Sequence, residues 1–447
     1  MSTCFRGTKG EPVGHNETRG WRLSHPQVVH SLVAAVQGRL RAWALLIVGA
    51  AVAMSPQARA QCYEVVETVQ FSGPCGSSTW DVDIRDINDQ GDVCGDRYCS
   101  PGSTRMPWIK RAGQPVTTYS LPSGSGDSWT MYISAEGWVV GETDYIGFPF
   151  TGNFGWIYRD GVATMIFPPE NRPGSEKIFI RGISDDGTVV GWYLEDTNGE
   201  FGGSYYHAFY WKDYQMTLLD EVLGSAESGA SAISRGGIIA GWLGPDYQDS
   251  QAFVLDGEVL AVMPPPEGYT AFEPLAINDL GQFVARAWSP GGLSTAPAYR
   301  VSGRELLPLG VLPPSQRFTP ADIAVDGSVI VGIGSNPDVG GLVWTPGDLR
   351  RLRQRVAHMP ANSFSWVRAL DALGRVVSPA GNHDAAFVLA PARPPTEDLN
   401  GNCKIDWPDL IELLGHWGVE GAPGDFDGIG GPDAGDLEHM LMEWSWR

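Results

Sequence analysis

Between Glu176 and Leu219 the apolar positions fall into four short runs. These are Lys177 to Ile183, Thr188 to Gly191, His207 to Trp211 and Met216 to Leu219, with Ser184-Asp185-Asp186-Gly187 and a Gly-rich stretch between them. Runs of β-branched and aromatic residues bounded by turn residues predict a four-stranded antiparallel unit. The Ser-Asp-Asp-Gly step predicts a tight hairpin, since Asp and Gly tolerate the left-handed backbone such turns need.

The same pattern recurs along most of the chain. Its turns start at Ile87, Ile133, Ile183, Ile233, Ile277, Ile323 and Leu370, spaced 46, 50, 50, 44, 46 and 47 residues apart. In the second half of each unit a small residue usually precedes an aromatic one, as in Gly155-Trp156, Ala208-Phe209, Ala252-Phe253 and Ala386-Phe387. Four strands per period of 40 to 50 residues is the pattern of a β-propeller, whose blades cannot bury their faces alone. The expected fold is therefore all-β, a seven-bladed β-propeller with four-stranded blades over residues 61–389. An open β-solenoid is the alternative, because repeats alone do not reveal closure. The seventh repeat has no fourth strand before the Pro-rich stretch 390–396, and Tyr63 to Val69 is a spare strand ahead of the first. Pairing the two would complete the last blade and protect an edge.

This region resembles the extracellular HAF-repeat family, named for a His-Ala-Phe step after an Ile-Asn-x-x-Gly-x-Val-Val-Gly step. The third repeat carries the full His207-Ala208-Phe209, and the fifth has Ala285 in place of the closing glycine. The resemblance covers residues 80–389 and implies an exported protein with no catalytic residues to carry over. His207 reads as a structural turn residue rather than a base.

Before the repeats, the apolar run Ala42 to Met54 follows Arg39 and Arg41 and precedes Ala58-Arg59-Ala60. A basic flank, a short apolar run and an Ala-x-Ala site predict a signal peptide over residues 1–60, and hence a secreted or cell-surface protein with no transmembrane segment after cleavage. An uncleaved N-terminal anchor is the other reading. Export permits disulfides. Cys62, Cys75, Cys94, Cys99 and Cys403 would remain, and the expected bridges are Cys62–Cys75, around the first strand, and Cys94–Cys99, across a hairpin loop. Cys403 is then left odd, and four cysteines allow other pairings.

Composition narrows the function classes. Glycine is 57 and proline 33 of 447 residues, with 43% hydrophobic, which suits a turn-rich folded chain. The formal charge is -21, and cleavage after Ala60 leaves 24 basic against 50 acidic residues. That charge argues against nucleic acid as a partner. No His-x-x-x-His, Gly-x-Ser-x-Gly or Walker pattern occurs. A carbohydrate or protein ligand is expected on the face carrying the longer loops, which hold Tyr145, Phe148, Phe150, Phe201, Tyr205 and Tyr206. The same aromatics could instead fold back as local core.

After the Pro-rich linker 390–396 the chain changes character. Asp398, Asn400, Asn402, Asp406 and Asp409 stand at positions 1, 3, 5, 9 and 12 of a loop, with the Lys404 carbonyl at position 7. Calcium takes six to eight oxygens, and this spacing wraps one chain around one ion. A helix follows with Leu410, Leu413, Leu414 and Trp417 at three-and-four spacing. The register then repeats 27 residues later, with Asp425, Asp427, Asp433 and Asp436 at positions 1, 3, 9 and 12 and Gly431 at position 7. Asp409 and Asp436 could serve simply as helix caps.

Residues 397–447 resemble a type I dockerin, a small α-helical pair of EF-hand-type calcium loops. The resemblance implies docking onto a cohesin-like partner. Cys403 stands where the first loop's glycine is expected, and Ile429 supplies no side-chain oxygen at position 5 of the second, which should bind more weakly. The expected function is a secreted calcium-binding propeller tethered through its tail. A secreted glycoside hydrolase carried by a dockerin and a structural surface protein are the alternatives.

Overall fold

The computed structural model describes residues 62–71, 80–99, 104–146, 151–168, 176–196, 204–225, 227–289, 297–310, 317–334, 340–356, 366–381 and 384–444. The predicted signal segment and Cys75 lie outside them.

The described chain is mostly β. Three four-stranded sheets stand separately, and two eight-stranded sheets each join two further units through a short parallel contact, Lys177 with Asn153 and Ser250 with Ala271. Within every unit, neighbouring strands run antiparallel, and in all but the last they follow one another as a meander. The innermost strands are Trp80–Ile87, Ser125–Ile133, Glu176–Ile183, Glu227–Ile233, Ala271–Ile277, Phe318–Ile323 and Ala369–Leu370. Each ends in the predicted tight turn, closed by its glycine's N–H on the carbonyl three residues back, as Gly91 on Asn88 and Gly187 on Ser184.

The recurrent sequence steps have a packing explanation. In the first six units the inner strand carries a β-bulge two residues before the turn's isoleucine, with the extra residue being Arg85, Met131, Arg181, Ser231, Leu275 or Ala321. A bulge brings one backbone closer to its neighbour and re-aims a side chain. The closing glycine of the second strand meets this bulged strand. A Cβ on Gly95, Gly141, Gly191 or Gly241 would come within 2.0, 2.1, 1.9 and 2.1 Å of a carbonyl oxygen of the inner strand. Directly across on the third strand are Trp108, Trp156, Phe209 and Phe253, which cover these bare glycines. All four rings are buried. Glycine and aromatic are thus one cross-strand pair, a large side chain filling the space its partner leaves.

Neighbouring units are joined at the turn end by hydrogen bonds, most of them to side chains of the turns or of the strand ends before them. Asn88 Nδ2 donates to the Ser134 carbonyl at 2.9 Å, Ala135 N to Asp185 Oδ1 at 3.0 Å, and Asp185 N to the Arg235 carbonyl at 3.0 Å. Gly236 N donates to Asp279 Oδ1 at 2.6 Å, Asn278 Nδ2 to the Ala324 carbonyl at 2.9 Å, and Leu370 N to Asp322 Oδ2 at 2.9 Å. Ala372 N then donates to Asp89 Oδ1 at 2.7 Å, which links the last unit to the first.

Cys62–Val69 pairs antiparallel with Ala386–Ala392, from Cys62 opposite Ala392 to Val69 opposite Ala386. This is the expected fourth strand of the last unit, and its partner runs to Ala392, three residues into the stretch read as linker. Its other side is held by Tyr63, whose N–H donates to the Arg355 carbonyl at 2.7 Å. Beyond it come two helices, Trp407–Gly415 and Ala434–Met442. Among the described residues no helix is long and apolar enough to cross a membrane.

The expected disulfides are corrected. Cys403 is bonded to Cys62, so it is not odd and Cys62 is not paired with Cys75. Cys94 is a free, buried thiol, so the Cys94–Cys99 bridge is absent. The residues between them, read as a hairpin loop, belong to one continuous strand, Val93–Cys99. Five residues of strand separate the two α-carbons by roughly 16 Å. That is beyond the reach of a disulfide.

Candidate functional site

The two C-terminal loops share one backbone plan. Position 4 is left-handed in both, at Gly401 (φ 70°) and Gly428 (φ 73°), and so is position 6, at Cys403 (φ 68°) and Gly430 (φ 82°). Cysteine thus adopts the backbone that glycine supplies in the second loop. Gly431 at position 7 is also held close, with space for a Cβ only 2.3 Å from the Val419 carbonyl.

The side chains follow the same plan. Asp409 accepts the Asn400 N–H at 3.1 Å on one oxygen and the Asp406 N–H at 2.9 Å on the other. Asp436 does the same with Asp427 at 3.3 Å and Asp433 at 2.9 Å. In position 1, Asp398 accepts from Asn402 and Cys403 at 2.9 and 2.7 Å, and Asp425 from Ile429 at 3.0 Å. Asn400 and Asn402 turn their amides toward Asp409 and Asp406, at 2.8 and 3.4 Å. Lys404 at position 7 donates its N–H to Asn402 Oδ1 at 2.8 Å.

These bonds include the capping contacts expected of Asp409 and Asp436, yet capping does not account for the whole arrangement. In the second loop, carboxylate oxygens of Asp425, Asp427 and Asp436 converge to within 4.8 Å of one another. Asp409 and Asp436 are almost wholly buried. Burial, aided by repulsion from Asp398 and Asp406, pushes the Asp409 carboxyl up to about 6. For Asp436 burial acts upward too, but the N–H donors of Asp433, Phe426 and Asp427 outweigh it and hold the group below its ordinary value. Convergent, oxygen-only donors, with Asp436 buried among them, suit a hard divalent cation.

The helices divide their apolar residues between two sides. Leu413 and Met440 are buried with Ile405, and Leu399, Leu410, Phe426, Leu437 and Trp444 pack against them. Trp407 (69%), Ile411 (67%) and Leu414 (49%) are exposed one helical turn apart, and Trp417 is also exposed. The face predicted as a single stripe is therefore split, with Leu410 and Leu413 inward and Leu414 and Trp417 outward.

Of the three described aromatics predicted for the loop face, two fold inward. Tyr145 packs edge-on against Phe154 and Phe167 at 6.0 and 5.7 Å, and Tyr206 against Trp242 at 5.8 Å. Tyr205 is partly exposed. Phe148, Phe150 and Phe201 lie outside the described residues. His207 is buried on its strand, with Nδ1 3.0 Å from Asp220 Oδ2 and Nε2 2.9 Å from Glu195 Oε2, and so ties two strands and the following helical turn together.

A cavity of about 130 Å³ lies among the inner strands toward the tight turns rather than on the loop face. Arg85, Arg181, Arg235, Arg368, Asp86 and Asp322 line it. Sequence reasoning missed this group, although an Asp directly before the turn's isoleucine recurs in two repeats. Asp86 accepts the N–H of Ile87 at 2.8 Å and of Ile133 in the next unit at 2.9 Å. Asp322 accepts those of Ile323 and Leu370 in the same way. Burial, then repulsion from Asp322, pushes Asp86 up to about 7, and burial pushes Asp322 up to about 6. Arg235 forms an ion pair with Asp89, joining the fourth unit to the first.

No protein-family model and no curated protein matches the chain. Among solved structures it is similar to the β-propeller domain of the Trilobed protease from Pyrococcus furiosus, described as having an open velcro topology, at 11% identity and TM-score 0.44 over 61% of this chain and 81% of that one. It is also similar to oligogalacturonate lyase from Vibrio parahaemolyticus, at 10% identity and TM-score 0.44 over 74% and 98%. A third is the β-propeller domain of Cps50 (Swd1) from Myceliophteria thermophila, at 8% identity and TM-score 0.43 over 74% and 100%.

Proposed function

We propose that the protein is a secreted, calcium-binding seven-bladed β-propeller, tethered to a cohesin-like partner or cell surface through a dockerin-like C-terminal module. The observation that carries this reading is the duplicated loop: two segments 27 residues apart repeat the same left-handed positions and the same carboxylate bonds. Asp398, Asn400, Asn402, Asp406, Asp409 and the Lys404 carbonyl would hold one ion. Asp425, Asp427, Asp433, Asp436 and the Gly431 carbonyl would hold the other. Calcium bound there would neutralise carboxylates that otherwise repel.

Closure of seven blades is supported by the hydrogen bonds that pass from each unit to the next and return from Ala372 to Asp89. The partner class is supported by the exposed strip Trp407, Ile411 and Leu414, since exposed apolar side chains at helical spacing suit a protein surface. Twelve carboxylates against two basic residues from Glu397 onward favour a partner whose rim is basic. The hydrolase reading gains nothing from Asp86 and Asp322, each of which spends both oxygens on backbone N–H groups.

Calcium titration calorimetry on the chain from residue 61 onward tests the reading. Saturable binding, reduced to one site by Asp398→Ala with Asp409→Ala and to none by adding Asp425→Ala with Asp427→Ala, is the expected result. A chain that takes up no calcium at low ionic strength would remove the tether from the proposal.

A further inference from the structure

We propose that the first calcium loop is also the clasp of the propeller, steadying the strand Cys62–Val69 through the Cys62–Cys403 bridge when metal is bound. This rests on the calcium reading above and extends it from the tail to the body of the protein.

Three observations converge on this link. The strand Cys62–Val69 comes from the opposite end of the sequence to the one it pairs with, and the bridge spans 341 residues. Its first residue is the bridged one, paired with Ala392 at the point where the partner strand leaves the sheet. Strand ends fray first, so a covalent bond at Cys62 acts where opening would begin. On the other side of the bridge, Cys403 is not a neutral anchor point. It occupies position 6 of the loop, its backbone is left-handed, and its N–H donates to Asp398, the position-1 ligand. Both cysteines are buried, and Glu397 just before the loop is buried against His439 Nε2 at 2.7 Å.

Any ordering of the Asp398–Asp409 loop is therefore delivered through one side chain to the closing strand. Without metal, the loop that holds Cys403 rests on its own hydrogen bonds, those accepted by Asp398 and Asp409 among them. With metal, releasing the strand requires deforming a filled site. Glycine at position 6 would suit the same left-handed backbone, which Gly430 supplies in the second loop. The cysteine at this one position gives the first loop a connection that the second lacks.

The test is hydrogen–deuterium exchange on the oxidised chain from residue 61 onward, in chelator and in calcium at about a hundredfold over its dissociation constant. Segments 62–69 and 398–409 are followed together. Calcium is expected to slow exchange in both, by up to about a hundredfold where opening requires metal release. In the double variant Cys62→Ser with Cys403→Gly, which keeps a residue suited to the left-handed position, calcium should slow the loop and leave the strand unchanged. Asp425→Ala with Asp427→Ala should leave the strand's response intact. A strand indifferent to calcium while the loop responds overturns the clasp and spares the calcium reading, as does a strand that still responds in the double variant. A loop that ignores calcium overturns both.

Discussion

At the scale of single residues, the glycines of the repeat separate two kinds of constraint. Gly191 has an ordinary backbone, but a Cβ there would lie 1.9 Å from the Phe179 carbonyl and 3.2 Å from the Phe209 ring. Gly161 has open space around it and a φ of 84°. Gly191→Ala should therefore cost about 3 kcal/mol or slightly more through forced separation of strands, and Gly161→Ala only about 1–2 kcal/mol through backbone strain. Urea unfolding of the two variants checks this, and equal losses would show that the crowding at Gly191 is relieved cheaply. Cysteine 403 belongs to the second kind, since it pays for a left-handed backbone and is retained by its bond to Cys62.

At the scale of elements, the inner strands are stitched by carboxylates that titrate in an unusual range. Asp86 and Asp322 hold their protons more tightly folded than unfolded, near 7 and 6 against an ordinary 3.8. Folding then takes up protons between about pH 4 and 7, and stability from this pair is greatest below that window and falls as pH rises through it. Arg235 opposes the effect at both sites. With calcium saturating to keep the tail constant, the urea midpoint should rise on going from pH 7.5 to 5.5. Asp86→Asn should lower the midpoint, since an amide cannot accept both N–H groups, and should flatten its pH dependence. An unchanged slope in that variant would assign the effect elsewhere. The turns and meanders themselves were legible in the sequence, because the hairpin glycine and the alternation of apolar positions are local properties. The bulges were not, because an extra residue in a strand leaves no mark on composition.

At the scale of the whole molecule, the strand Cys62–Val69 occupies an edge that the last unit cannot fill for itself. Removing residues 62–71 would bare the edge of Ala386–Ala392 and open the core around Tyr63 and Val69. The shortened chain should self-associate, because an unpaired edge recruits other strands, and an added peptide of residues 62–71 should restore the monomer. Light scattering after size exclusion measures both; a truncated chain that stays monomeric and folds with wild-type stability would show that the edge needs no cover. The repeat, its strand count, the spare first strand and the duplicated acidic loop could all be read from the order of residues, since each depends on spacing within one short stretch. Which cysteine meets Cys62, which carboxylates face the cavity and which side of the first helix is left exposed were decided only by tertiary structure. Those outcomes depend on how segments hundreds of residues apart are brought together, and sequence distance carries no record of that approach.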